Sequence, residues 1–201
     1  MKKIILLLVI FFNQPIFAQN VDIDLLRIIN TPNKEKFGDP FFKEISSTTY
    51  VFSLAAPASV FAMGIVNKNK ELRYKSYQMA VGLGLSSALS LLLKYSVNRT
   101  RPYITYSFIV PKIKESDPSF PSGHATNAFE TATSLSLNFP KWYVIVPAYA
   151  WAGAVGYSRM YLGVHYPSDI LAGMVLGAGS AWITWKVNKI MHRKRIVSPI
   201  E

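Results

Sequence analysis

The sequence predicts an all-α protein, a multi-pass bundle of about five membrane helices that follows a signal peptide or a signal anchor. Three observations favour this fold class. Half of the 201 residues are hydrophobic and only 16% are charged, which is an apolar balance for a soluble domain. The apolar residues form separate runs, and the first run follows two lysines at the N-terminus. Short basic clusters separate the later runs, as in the loops of membrane proteins.

The overall charge and the residue types exclude several classes of protein. The net charge is +11, but the basic residues form neither a stripe nor a known binding motif, so no nucleic acid partner is expected. Cysteine is absent, which excludes disulfides, thiol nucleophiles and cysteine metal sites. A chain of this length suits one domain with a sizeable core.

Residues 1–18 have the pattern of a secretory signal peptide. Two lysines precede an apolar run over residues 4–12, Pro15 breaks the run, and the small residue Ala18 indicates a cleavage site. Ile16 stands where a small residue is usual, so an uncleaved anchor is the alternative. Either form directs the chain beyond this segment to the outer side of the inner membrane.

Residues 19–49 follow as a predicted periplasmic amphipathic segment and linker. Their composition mixes polar and apolar residues, with breaks at Pro32, Gly38 and Pro40. We expect one short amphipathic helix within this part. The helical core of the protein is predicted to occupy residues 50–190.

Five segments of this core are predicted helices. Their approximate ranges are 50–66, 76–93, 122–138, 142–157 and 170–185. Most are slightly shorter than the roughly 20 residues of a typical spanning helix, so a soluble helical core would explain their length nearly as well. The small-residue spacing Gly173-x-x-x-Gly177 is typical of close helix packing in membranes.

The placement of positive charge favours the membrane alternative. With residues 19–49 outside, counting the helices places every second loop and the C-terminal end of the chain, including the basic tail 191–201, in the cytoplasm, where the positive-inside rule expects basic residues. Those regions do contain the basic clusters: Lys68, Lys70, Arg73, Lys75, Lys141, Lys186, Lys189, Arg193, Lys194 and Arg195. In the opposite loop, Lys112 and Lys114 are expected to be offset by Glu115 and Asp117. We therefore predict a protein of the bacterial inner membrane.

The stretch SFPSGHAT, residues 119–126, is the first candidate for a functional site. Pro121 suits the first turn of a helix, and Ser122 and Gly123 would leave free N–H groups at the positive end of the helix dipole. Such an end holds anions readily. His124 would lie beside the anion and could transfer a proton near neutral pH.

Two further clusters fall on the same predicted side of the membrane. Lys94 precedes Arg101 by seven residues, and Pro102 follows directly. Arg159 precedes His165 by six residues, and Asp169 follows four residues later, one helical turn away. A basic pair at one helix end can simply contact lipid headgroups, but that explanation does not account for three clusters on one side.

In their order, these motifs resemble the type 2 phosphatidic acid phosphatase superfamily. The motifs are Lys-x6-Arg-Pro, Pro-Ser-Gly-His and Ser-Arg-x5-His-x3-Asp, and the resemblance covers about residues 50–188. The group includes membrane lipid phosphatases, soluble class A acid phosphatases and vanadium-dependent haloperoxidases. The resemblance implies a phosphatase in which His165 is the nucleophile and forms a phosphohistidine intermediate.

The chemistry of the other residues agrees with that resemblance. Positive charge for the phosphate oxygens comes from Lys94, Arg101 and Arg159, and the Ser122 hydroxyl and Gly123 N–H add donors. We expect Asp169 to fix the tautomer of His165 and His124 to protonate the leaving group. No metal and no cofactor are expected, since the cations would repel a metal ion.

The sequence leaves the substrate and some residues open. A membrane lipid phosphate facing the periplasm is the leading hypothesis, and the candidates are lipid A phosphates, undecaprenyl pyrophosphate, phosphatidylglycerol phosphate and phosphatidic acid. A soluble periplasmic acid phosphatase is the alternative, with a haloperoxidase or a non-catalytic lipid-binding protein less favoured. Neither Arg99 nor the intramembrane carboxylate Glu130 has a predicted role, and the sequence predicts no oligomeric state.

Overall fold

A computed structural model describes residues 15–30 and 38–197 of the chain, and the side chains of 21–30 and 38–191. Within these ranges the secondary structure is helical, without a strand. Seven helices occur there: α1 Pro15–Ile29, α2 Gly38–Val66, α3 Lys70–Val97, α4 Pro102–Thr105, α5 Gly123–Asn138, α6 Trp142–Tyr161 and α7 Pro167–Val197. The predicted all-α class is confirmed, and each of the five predicted core segments lies largely within one long helix.

Short polar residues and prolines determine where the helices around the later site begin and end. At the start of α3, Asn69 accepts a hydrogen bond from Leu72 N–H, as an N-cap residue does. The same helix ends at Asn98, whose positive φ of 48° stops the helix while its N–H donates to Lys94 O. The α7 helix starts at a proline, Pro167, which is favourable in a first turn.

The α5 helix lies at the centre of the bundle and packs against α2, α3, α6 and α7. Its small residues let the neighbouring helices approach closely. The predicted Gly173-x-x-x-Gly177 contact is confirmed: a Cβ at Gly177 would lie 2.1 Å from Thr126 O, and one at Gly173 would lie 2.8 Å from Ser122 O. These two glycines thus hold the start of α5 against the start of α7.

Three helical segments are long and apolar enough to cross a membrane. They are Gly38–Val66, Lys70–Thr105 and Pro167–Met191, and many of their large apolar side chains face outward, such as Leu54 and Val175. The protein is a multi-pass membrane bundle. The α5 and α6 helices have 16 and 20 residues, and their status as the remaining spans stays a prediction.

The first core helix begins earlier than the sequence indicated. Residues 38–49, expected as part of a linker, form the first three turns of α2. Two of their polar residues, Ser46 and Thr49, are buried, at no more than 5% exposure. The segment looks like a linker in sequence because the partner of Ser46 is Arg159 of α6, far along the chain.

The ends of the chain leave two predictions untested. Residues 1–14 and 198–201 lie outside the described part, as do the side chains from 192 onward. The α1 helix runs through the predicted cleavage point after Ala18 and continues to Ile29. The signal segment 1–18 and the cytoplasmic tail 191–201 therefore remain predictions.

Candidate active site

The three motifs meet at one end of the bundle, around a cavity of about 240 Å³. Lys94 comes from the last turn of α3, Arg101 precedes α4, and Arg159 comes from the last turn of α6. His165 lies in the turn between α6 and α7. The cavity is lined by Tyr50, Lys94, Glu115, Ser116, Asp117, Gly123, His124 and His165.

The two arginines form the buried side of the site. Arg101 and Arg159 are each 1% exposed. Arg101 Nη1 donates to Val164 O at 2.9 Å, and Arg159 Nη1 donates to Ser46 Oγ at 2.6 Å. These bonds fix each guanidinium to the bundle. The Nη2 groups of both arginines point into the site, where they pair with carboxylates of the loop that precedes α5.

His165 is held between a cation and a carboxylate. Its Nε2 lies 3.4 Å from Arg101 Nη1, and its Nδ1 lies 3.4 Å from Asp169 Oδ2. Burial, together with the charges of Arg159 and Arg101, holds the pKa of His165 well below its usual value. The ring is therefore neutral at neutral pH. With its proton on Nδ1, facing Asp169, its Nε2 has the free lone pair that a nucleophile needs.

The carboxylate of Asp169 has two further hydrogen-bond donors besides His165. Its Oδ1 accepts from Arg99 Nη1 at 2.7 Å, and its Oδ2 accepts from Tyr166 N–H at 3.0 Å. Arg99 in turn donates to Asp22 Oδ2 at 2.9 Å. The sequence left Arg99 without a role, and the structure places it against the predicted catalytic carboxylate.

Asp22 connects the N-terminal helix α1 to the same network. Its Oδ1 accepts from Ser168 N–H at 2.8 Å, its Oδ2 accepts from the Ser168 hydroxyl, and the side chain is 7% exposed. Sequence analysis missed this residue, because nothing in the local pattern of residues 19–49 distinguishes it. Its role depends entirely on contacts with α7 and with Arg99.

The Pro-Ser-Gly-His motif lies at the start of α5, which begins at Gly123, so the proline precedes the helix instead of lying in its first turn. The other residues differ in how they meet the cavity. Gly123 and His124 line it, and the His124 ring lies 5.0 Å from the Tyr50 ring in an edge-on contact. The Ser122 side chain is fully buried, and its Oγ accepts from Ala125 N–H at 3.4 Å. Ser122 is the N-cap of the helix, so in this structure its hydroxyl serves the backbone.

Two buried polar atoms of the described side chains have no hydrogen-bond partner, and both belong to this region. They are Arg159 Nε and Ser90 Oγ. Ser90 precedes Lys94 by one helical turn, and its Oγ would lie 3.9 Å from a Cβ on Gly123. An unsatisfied buried polar group costs free energy, so both atoms are suited to bind a ligand oxygen or a water.

Glu115 and Asp117 enter the cavity from the loop that precedes α5. Asp117 Oδ2 lies 2.7 Å from Lys94 Nζ, and its Oδ1 lies 2.6 Å from Arg101 Nη2. Glu115 Oε2 lies 2.7 Å from Arg101 Nη1, and its Oε1 pairs with Arg159 Nη2. All three predicted phosphate-binding cations thus have a carboxylate partner.

Lys112, which lies in the same loop, forms its ion pair elsewhere. Its ammonium group pairs with Asp39 at the start of α2.

Desolvation raises the pKa of Asp117, but the hydrogen bond and charge of Lys94, together with Arg101, outweigh it and lower the pKa to about 2. The pKa of Glu115 is also lowered, since Arg159, His165 and Arg101 outweigh its burial. Both acids are ionised.

The fold and site define a helical membrane protein with a cavity and a cluster of buried cations at one end of its bundle. A sequence model of the PAP2 superfamily matches residues 76–192, and the chain belongs to this superfamily. This confirms the resemblance carried by the three motifs.

Among curated relatives, the lipid A 4′-phosphatase of Bacteroides thetaiotaomicron is 27% identical over 195 residues, which are 92% of this chain and 84% of that protein. The undecaprenyl-diphosphatase of Sulfolobus acidocaldarius is 31% identical over 131 residues. That match spans 63% of this chain and 62% of the relative. Both relatives are thus phosphatases in name, although the chain spans only about three fifths of the second.

Two solved structures have the same architecture. Aquifex aeolicus LpxE superimposes with a TM-score of 0.68 at 26% identity, covering 83% of this chain and 95% of its own. The transmembrane PAP2-type phosphatidylglycerolphosphate phosphatase of Bacillus subtilis gives 0.72 at 24% identity, covering 92% and 93%. The second likeness shows the fold alone, and it agrees with a membrane bundle.

Proposed function

We propose that this protein is a lipid phosphate phosphatase, which hydrolyses a phosphomonoester or pyrophosphate headgroup at the periplasmic face of the bacterial inner membrane. The observation that carries the proposal is the cavity at the end of the spanning helices. There three cations, Lys94, Arg101 and Arg159, surround the neutral His165. A phosphate group needs cationic hydrogen-bond donors on several sides and a nucleophile in line with the leaving oxygen.

In the first step, His165 Nε2 attacks the phosphorus atom and the bond to the lipid oxygen breaks. The cations stabilise the charge on the equatorial oxygens. Asp169 accepts a hydrogen bond from Nδ1 and stabilises the positive charge that develops on the ring. Burial and the charge of Arg159 lower the pKa of His124 to about 3, and the negative charge of the bound phosphate raises it. The protonated His124 then gives its proton to the leaving alkoxide, which leaves a phosphohistidine and the free lipid alcohol. For a pyrophosphate, the leaving group is the lipid monophosphate.

In the second step, water attacks the phosphohistidine. His124, now without its proton, accepts a proton from the water while the N–P bond breaks and its electron pair returns to His165. The products are inorganic phosphate and the original enzyme. His124 lies on the cavity wall. Its ring makes no hydrogen bond to the described residues, so it can serve in both steps.

Lipid A phosphate is the first substrate to test. Of the relatives named above, the lipid A 4′-phosphatase matches this chain over nearly its whole length. Undecaprenyl pyrophosphate, phosphatidylglycerol phosphate and phosphatidic acid belong in the same panel, since each presents a similar phosphoryl end. Phosphate release by the purified protein is measured for each lipid, with His165→Ala as the blank. Rapid cleavage of water-soluble phosphomonoesters with no release from any lipid would contradict the proposal.

The orientation has a separate test, which the absence of cysteine makes simple. We expect Lys114→Cys, at an exposed position near the cavity, to react with a membrane-impermeant maleimide in intact spheroplasts. Lys70→Cys, at the other end of α3, should react only after the membrane is opened. The reverse labelling would place the site in the cytoplasm.

A further inference from the structure

The carboxylates of Glu115 and Asp117 occupy the same donors that a substrate phosphate needs. Between them they contact Lys94, Arg101 and Arg159, with N···O distances of 2.6 to 2.7 Å for the pairs of Lys94 and Arg101. Two carboxylates carry two negative charges, and a phosphate monoester carries about the same at neutral pH. The substrate and the two acids are therefore alternative occupants of one site.

The solvent exposure of the side chains in these ion pairs indicates which of them can move. The side chains of Arg101 and Arg159 are 1% and 2% exposed, whereas those of Glu115 and Asp117 are 23% and 41% exposed. An arginine displaced from here would remain as an unpaired buried charge, which is costly. A displaced carboxylate would face the solvent. The acids are therefore the partners that leave.

The backbone of the loop is anchored independently of the two carboxylates. Arg101 Nε donates to Asp117 O at 2.7 Å, Lys94 Nζ donates to Pro118 O at 2.6 Å, and Tyr103 Oη donates to Glu115 O at 2.7 Å. Since these bonds hold the main chain in place, rotation of the two side chains is enough to vacate the cavity. The loop need not unfold.

We propose that Glu115 and Asp117 are built-in competitors of the substrate phosphate, which hold the cations before binding and withdraw when a phosphate monoester enters. This inference rests on the proposed function. It makes the two acids specificity-determining, because a phosphate dianion replaces both carboxylates charge for charge and a singly charged phosphodiester does not. After hydrolysis, the returning carboxylates assist the release of inorganic phosphate.

The test is the affinity of the purified protein for inorganic phosphate, measured by calorimetry in detergent. In Glu115→Gln/Asp117→Asn the side chains keep their shape and lose their charge. If the acids occupy the site about nine tenths of the time, their removal lowers the dissociation constant by about tenfold. Each single variant should show an intermediate decrease.

The control for a general change in electrostatics is Asp24→Asn. Asp24 is an exposed carboxylate on α1, at the same end of the bundle, and we expect its removal to change the phosphate affinity by less than about twofold. A thermal melt of each variant confirms folding, and the single variants remain informative if the double variant does not fold.

Two outcomes are decisive against the inference, and they are distinguishable. If wild type binds phosphate and the neutral variants bind it no more tightly, the competition is refuted while the proposed function stands. If neither wild type nor the variants bind phosphate, the phosphate site itself is refuted, and the proposed function fails with it.

Discussion

Asp169 and Glu130 are both buried carboxylates in the same bundle, at 0% and 1% exposure, yet their surroundings differ in kind. Asp169 lies at the start of α7, with Arg99 Nη1 at 2.7 Å and His165 Nδ1 at 3.4 Å. Glu130 lies near the middle of α5, and its Oε1 accepts from the Ser134 hydroxyl at 2.7 Å. Within the described part of the chain it has no ion pair.

The neighbours of Glu130 form a network of uncharged groups. Gln78 Nε2 donates to Thr184 Oγ1 at 2.9 Å, and Asn138 Nδ2 donates to Gln78 Oε1 at 2.6 Å. These contacts join α3, α5 and α7 below the cavity. Burial alone therefore does not single out a carboxylate for catalysis. A fixed cation on one oxygen and a histidine near the other distinguish Asp169, the acid that we propose for the chemistry.

The largest expected effect follows from removing the charge of Asp169. We expect Asp169→Asn to lower kcat by about a thousandfold to ten-thousandfold, because the amide favours the wrong tautomer of His165 and cannot stabilise the imidazolium. Initial rates of phosphate release from the best lipid substrate measure this. Activity within tenfold of wild type would show that Asp169 only caps α7.

The next effect is expected at Arg99, which positions Asp169 without touching the substrate. Arg99→Gln should lower kcat by about 10- to 100-fold, the range typical for partners that orient a functional side chain, with little change in KM. Arg99→Lys should restore part of the loss. Equal losses in the glutamine and lysine variants, together with a lower Tm, would indicate a purely structural role.

Gly82 provides the space that Glu130 needs, and its substitution should affect stability. A Cβ at this position would lie 2.4 Å from Glu130 Oε1 and 3.0 Å from Thr184 Oγ1. We expect Gly82→Ala to destabilise the protein by about 1 to 2 kcal/mol through overpacking, with kcat of the folded protein unchanged. The check is a thermal melt in detergent. Gly84→Ala is the matched control, since a Cβ there meets no atom within 4 Å.

The smallest effect is expected for Glu130→Gln, which keeps the shape and the polar contacts of the side chain. The free energy of unfolding should change by less than about 1 kcal/mol, so the Tm should shift only slightly. The kcat should stay within about threefold of wild type. A large loss of kcat in a variant of normal Tm would overturn the contrast with Asp169 and give Glu130 a part in catalysis.

The sequence predicted the parts of the fold and site that depend on local pattern. The three motifs have fixed spacings, and these spacings identify most of the residues that the structure brings together at the site: Lys94, Arg101, His124, Arg159, His165 and Asp169. The start of α5 was predicted to within two residues, since Ser122 is the N-cap and Pro121 precedes it instead of lying in the first turn. The alternation of apolar runs and basic loops gave the helical bundle.

The remaining features depend on contacts between distant segments. Asp22 lies 147 residues before Asp169, and its link through Arg99 has no sequence spacing that could reveal it. Glu115 and Asp117 look like ordinary loop acids beside two lysines, and only the turn of the loop into the cavity pairs them with arginines. The start of α2 was missed because Ser46 and Thr49 are polar residues that the fold buries, Ser46 against Arg159 of α6.

The proposed role of His165 as the nucleophile of a lipid phosphatase can be tested by trapping its phosphorylated form. The purified protein is incubated with lipid A labelled with 32P in its phosphate, and the reaction is quenched in alkali, in which phosphohistidine survives. We predict transient label on the tryptic peptide that follows Arg159 and contains His165, release of labelled inorganic phosphate, and neither signal in His165→Ala. Phosphate release at the wild-type rate by His165→Ala, or label on a different peptide, would contradict the account.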